Sequence, residues 1–219
     1  MYTNKQETLF NHCREIMVRH INTTMSSMIN NVEDALIKMA VKERANATAA
    51  KYIDAVRIMR LKKYEIQVRF KNRYLSLYQY QVRNFIRNNE NTDITLSRIG
   101  HKSFSKDAGN KESKALESTV KKVRQDCHAA LLNLDNKIGK LLNNIEFNNN
   151  NPLMPETIFE AFWESCRDAE INPEIRLLLI SMFEKYVALE LKYLYEDLNT
   201  YLENQNLEWN PWIYRSIDF

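Results

Sequence analysis

Ten basic side chains fall between residues 51 and 87 against two acidic ones, interleaved with tyrosine and phenylalanine. Guanidinium groups grip phosphate oxygens, and exposed aromatic rings stack on bases. Arg57, Arg60, Lys62, Lys63, Arg69, Lys71, Arg73, Arg83 and Arg87 therefore make a candidate anion- or partner-binding surface, with Tyr52, Tyr64, Phe70, Tyr74, Tyr78 and Tyr80 among them. A second constellation has the opposite sign. Glu156, Glu160, Glu164 and Asp168 recur every four residues and draw one negative stripe along a helix. Like charges at that spacing repel by a few tenths of a kcal/mol per pair. The stripe is either tolerated in water or turned toward a basic partner: the 51–87 helix of the same chain, that helix of a second copy, or another protein. Residues 151–219 hold thirteen acidic and five basic groups, so the formal charge of +3 is the remainder of two opposed halves.

Catalytic chemistry finds fewer footholds. A di-iron bundle wants Glu-x-x-His, but the residues three before His12, His20, His101 and His128 are Leu9, Met17, Arg98 and Gln125. His12-Cys13 and Cys127-His128 would form a four-ligand zinc site only if neighbours projecting about 100° apart reached one metal. Both cysteines also fit apolar helical stripes, and a buried thiol is the simpler reading. No G-x-S-x-G, H-E-x-x-H or C-x-x-C occurs. No catalytic, cofactor-binding or metal-binding residue is expected, and no enzyme activity.

The elements that must position these charges follow from what the chain lacks. Glycine and proline number three and four, where average usage would give about twenty-five, and the first 99 residues contain neither. Sheets need turns, and turns draw on both residue types. The composition excludes barrels, sandwiches and Gly-rich phosphate cradles. The expected fold is all-α, an elongated bundle of about five helices with long antiparallel members, forming one domain over residues 1–219.

Apolar residues at mixed three and four spacing make 5–44 a helix, bent or broken near Thr23, Thr24 or Asn30-Asn31. Asn46 is a candidate N-cap for the next helix, to about 88. There Leu61, Val68, Leu75 and Val82 recur every seven residues, with Tyr64, Tyr78 and Phe85 three beyond. That is an a/d stripe of coiled-coil type, expected to face the core. Residues 89–111 read as a mobile connection with Leu96, Ile99 and Phe104 as its possible anchors. A third helix runs to about 144 on Leu116, Val120, Val123, Cys127, Leu131, Leu134, Ile138 and Leu141. Pro155 and Pro173 suit first helical turns, with Asn172 as a cap. They open helices at 155–169 and 173 to about 205, and 206–219 is an aromatic tail.

Residues 1–10 hold no secretory signal and the most apolar run, Leu177 to Ile180, cannot span a bilayer. Three widely spaced cysteines fit reduced thiols. The expected location is cytoplasmic, with no transmembrane segment.

Several segments, taken in order, resemble a known family. EDALIKMA (33–40), Asn46 and KYIDAVRIMRLKKYEIQVRF (51–70) are similar to the opening of a large bacterial family, mostly gammaproteobacterial, catalogued as a domain of unknown function. NPLMPETIFEAFW (151–163) resembles its Asn-Pro-Leu-x-Pro-Glu stretch, and RLLLISMFEKYVALELKYLYEDLNTYL (176–202) the segment that follows. The resemblance covers most of residues 10–205. It implies the N-terminal helical part of longer proteins, as a fragment or a short homologue, and carries over no catalytic or ligand residue. Members are often labelled thymidine phosphorylase, a chemistry whose anion-binding loops three glycines do not supply. After Leu96-Ser97-Arg98-Ile99 this chain departs from its relatives, with His101, Lys102 and Lys106 where they tend to be acidic. The expected function is a helical protein-interaction or regulatory module, self-associating or bound to a second protein. Nucleic-acid binding through 51–87 is the alternative.

Overall fold

A computed structural model of the chain describes residues 3–90, 111–141 and 151–208. All of its regular elements there are helical. The expected 89–111 connection and 206–219 tail fall largely on residues outside this set. Helix α1 (Thr3–Lys42) and helix α2 (Asn46–Glu90) form a hairpin. Phe10 meets Phe85 edge to face, Ser26 accepts from Gln67, and Glu33 pairs with Arg60 and Lys63. As the first number rises the second falls, so the two helices are antiparallel. At 1.5 Å per residue each is about 60–70 Å long.

No break interrupts α1 at the expected places. The Thr23 and Thr24 hydroxyls donate to the carbonyls of Arg19 and His20, and the Asn31 amide donates to that of Ser27. Side chains that compete for the backbone are thereby satisfied inside the helix. Asn46 is not the cap it was expected to be. The amides of Thr48 and Ala49 donate to the Ala45 carbonyl, which places Asn46 within the first turn.

The third expected helix comes in two pieces, α3 (Lys111–Asp126) and α4 (His128–Leu141). Hydrogen bonds run through the joint, from Cys127 N–H to Val123 and from Leu131 N–H to Cys127, and the apolar stripe continues across it. The last expected helix is divided likewise. Helix α6 (Pro173–Tyr186) leads through a single 3-10 turn (Ala188–Glu190) into α7 (Leu191–Glu208). Tighter winding there brings Val187, Ala188 and Leu191 all to the core.

Helix α5 (Pro155–Asp168) is the hub, packed against α2, α3 and α6. Residues 157–166 are buried on every side. Phe162 stacks on Phe183 of α6 with ring centres 3.9 Å apart, and Phe70 of α2 stands edge-on to both. Each such ring contributes roughly 1.5–3 kcal/mol by leaving water.

Entry to α5 is fixed by the Asn-Pro-Leu motif. The Asn151 side-chain oxygen accepts from Leu153 N–H at 2.9 Å and its amide donates to Asp135 at 2.6 Å. The Tyr195 hydroxyl donates to the Leu153 carbonyl. Burial pushes the Asp135 carboxyl above the ordinary range, and the Asn151 amide pulls it partly back. The motif that carries the family resemblance is therefore a buried turn.

The exit from α5 uses Glu170 at φ 55°. Its N–H reaches the Arg167 carbonyl and Ile171 N–H reaches that of Cys166, the crossed pair of a Schellman ending. Asn172 then caps α6 by accepting from Glu174 N–H, with Pro173 in the first turn, as the sequence leads one to expect.

One buried ion pair locks three helices. Arg176 of α6 makes a two-pronged contact with Glu112 of α3 at 2.8 and 2.9 Å, and Trp163 of α5 donates its indole N–H to the same carboxylate. Glu112 is only 1% exposed. Fully satisfied, such a charge fixes register, and removing its partner would be strongly destabilising.

Candidate partner-binding face

Helix α2 carries two apolar stripes. The buried one comprises Ala55, Val56, Met59, Ile66, Phe70, Tyr74, Tyr78 and Phe85. From Ile66 to Tyr78 its spacing is four, which drifts about 40° per step around a helix of 3.6 residues per turn. That drift lets one helix pack against both α1 and α5.

The heptad stripe is the other one, and it does not face the core as expected. Leu61 is 78% exposed, Tyr64 70% and Val68 59%. Leu75 and Val82 are half-buried, and only Tyr78 and Phe85 are core residues. At 100° per residue, Leu61, Tyr64 and Val68 lie within 60° of one another on the outer side of the hairpin. Ile53 is also exposed near this side. A regular three-four apolar pattern on a solvated face is a surface ready for another helix.

Around the stripe the positive charges are mostly engaged. Arg57 pairs with Asp54 at 3.3 Å and Arg69 with Glu65 at 2.8 Å, both on α2 itself. Arg60 and Lys63 share Glu33 of α1 at 2.9 and 3.0 Å, which holds that carboxyl below its ordinary value chiefly through hydrogen bonds from the two cations. Lys62 donates to the Ala169 carbonyl at the end of α5, where the helix dipole favours a cation. Lys51 reaches Glu174. Lys71 and Arg83 are exposed and form no ion pair among the described residues. Arg87 lies in α2 beyond the described side chains.

The acidic stripe of α5 meets cations of its own chain. Arg73 of α2 donates to Glu164, and Arg124 of α3 donates to Glu156. Glu160 and Glu164 are buried, and Asp168 is exposed in the last turn. The Arg73 guanidinium is held further toward its charged form by the Glu164 hydrogen bond, with Asp168 and Glu160 adding their fields. Of the three partners the sequence allowed for this stripe, the structure brings the same chain's basic helix against it.

Residues that could do other chemistry are kept apart or buried. His12 and His128 are exposed, whereas Cys13 and Cys127 are buried. Among the described residues no three His, Cys, Asp or Glu side chains converge as a metal site. Burial pushes the Cys13 and Cys166 thiols up to about 12, far from nucleophilic thiolates. No helix among the described residues is long and apolar enough to cross a membrane.

Sequence reasoning missed the Glu112–Arg176–Trp163 lock, in which Trp163 and Arg176 sit 51 and 64 residues from Glu112 with no local pattern to join them. Only the heptad arithmetic that mistook the outer stripe for the core could have found the face.

No curated protein and no solved structure matches the chain. A family model described as protein of unknown function (DUF1631), N-terminal domain, matches residues 5–206. The chain belongs to that family.

Proposed function

We propose that this chain is a non-enzymatic helical interaction module, cytoplasmic and self-associating, that presents the outer face of α2 to another protein surface. The observation that carries the reading is the exposure of Leu61, Tyr64 and Val68 at coiled-coil spacing. Folding leaves these side chains mostly in solvent, yet their pattern is that of a helix seam. Flanking charge favours a protein contact over a polyanion. Arg57, Arg60, Lys63, Arg69 and Arg73 already have carboxylate partners, and a phosphate backbone would have to displace them. Among the described residues of α2, nucleic-acid binding keeps Lys71 and Arg83 as cations without an ion pair, and these project from different sides of the helix.

Light scattering over a protein concentration series at low and high salt tests the reading. The mass should rise above the 26.0 kDa of one chain at low salt and fall back at high salt, because exposed charge pairs are screened. A single-chain mass at every concentration and salt would remove self-association. Retention on heparin with a steep salt dependence would favour the nucleic-acid alternative.

A further inference from the structure

The structure points to the opposite surface of that contact, and we infer that it is the exposed face of the 3-10 turn and α7 in a second copy. This rests on the reading of the α2 stripe as a self-association site. The stripe has positive charge to spare: Arg60 and Lys63 share one carboxylate, and Lys71 has none among the described residues. A second α2 would therefore be a poor antiparallel partner. A two-fold axis at Tyr64 and Glu65 sets Arg60 against Arg69 and brings Arg57 close to Lys71 of the other chain.

On α7 the signs are reversed. Leu189 and Tyr193 are 60% and 56% exposed and lie one turn apart. Glu190, Glu196 and Asp197 surround them. Glu196 reaches Lys192 only at 3.9 Å, Asp197 meets His20, and Glu190 has no ion pair among the described residues. Laid parallel on the stripe, Tyr193 fits between Leu61 and Val68, with Glu190 toward Arg60 and Asp197 toward Lys71. Helix α7 packs on α1 and α4, whereas α2 packs on α1 and α5. The two faces are thus carried by different elements of the fold. A contact between two different faces propagates or closes into a ring, the smallest ring being two chains that exchange both contacts. A few side chains on each side place it among small, transient interfaces, below ~1,200 Å² in total.

Two double variants of the full chain test this in sedimentation velocity. One carries Leu61→Glu and Val68→Glu; the other carries Glu190→Lys and Tyr193→Lys. All four positions are exposed, and circular dichroism melts matching the parent chain check that both fold. Each variant alone should self-associate at least tenfold more weakly than the parent. Mixed one to one, they should form a complex that stops at two chains, because only one intact pair of faces remains. The inference is overturned if the α7 variant associates like the parent while the α2 variant does not; the α2 reading then stands with another occupant. It is also overturned if the mixture stays monomeric. A parent chain that never associates would sink the self-association reading itself.

Discussion

Arg73 on α2 donates to Glu164 on α5, and through that pair the most basic helix of the chain meets the acidic stripe of the most buried one. A guanidinium on the neighbouring helix thus faces a carboxylate that is almost fully buried. Lys51 and Glu174 join the same two halves of opposite charge at the surface. What is left for a partner is smaller and more specific: an apolar seam with a modest positive surplus.

Pairs of different burial should respond differently to loss of charge. Arg57 and Arg69 pair with exposed residues of their own helix, and such pairs contribute about 0–1 kcal/mol. Arg57→Gln and Arg69→Gln should change stability by less than ~0.5 kcal/mol. Arg73→Gln removes a charge-assisted bond to a buried carboxylate, a loss of about 1.5–3 kcal/mol. Urea denaturation of the three variants checks the contrast, and equal effects would contradict it.

Glu170 holds a left-handed conformation that a β-carbon disfavours, in a chain with three glycines. Its side chain is exposed, so nothing in the core is lost by removing it. Glu170→Gly should stabilise the protein by about 0.5–1 kcal/mol, the opposite of what glycine does inside a helix. A thermal melt that moves downward would show that the Schellman ending is not strained.

Glu33 supplies a pH dependence with a definite sign. Its carboxyl is held below the ordinary value of 4.5 by Arg60 and Lys63. A carboxyl that ionises more readily when folded stabilises the fold above its unfolded pKa, and that contribution fades as pH falls through the folded value. Stability of the parent chain should thus drop below about pH 4.5 more steeply than that of Glu33→Gln. Parallel curves for the two between pH 3 and 6 would contradict the assignment.

The two stripes of α2 should separate cleanly in stability. Leu61→Glu and Val68→Glu sit on the solvated side and should cost less than ~0.5 kcal/mol each. Phe70→Ala, a deletion against Phe162 and Phe183, should cost about 3–5 kcal/mol. Comparable losses at Val68 and Phe70 in urea melts would mean that the heptad stripe is core after all.

Much of the architecture is legible in residue spacing. The stripe Leu116 to Leu141 is buried as its periodicity predicts, and Pro155, Pro173 and Asn172 open helices for reasons local to each residue. Helix α2 misleads because it holds two apolar stripes. The regular one repeats every seven residues from Leu61 to Val82, whereas the buried one drifts in steps of four from Ile66 to Tyr78, so a period test prefers the wrong side. Asn46 fails as a cap because the carbonyl of Ala45 starts the helix one residue earlier. The spacing of the acidic stripe of α5 left open whether it faces water or a basic partner. Its burial depends on Arg73 and Arg124, 91 and 32 residues away. The Asn-Pro-Leu motif stands out in sequence, but its work is done through Asp135 and Tyr195, which only the fold brings to it.

The central claim is that Tyr64 and its neighbours are covered by another protein surface. Hydroxyl-radical footprinting of the parent chain tests it directly, with Tyr80 as a reference because it is exposed on another side of α2. Oxidation of Tyr64 should fall severalfold between dilute and concentrated protein at low salt and recover at high salt, while that of Tyr80 stays constant. Equal oxidation of Tyr64 and Tyr80 at every concentration and salt would contradict the claim.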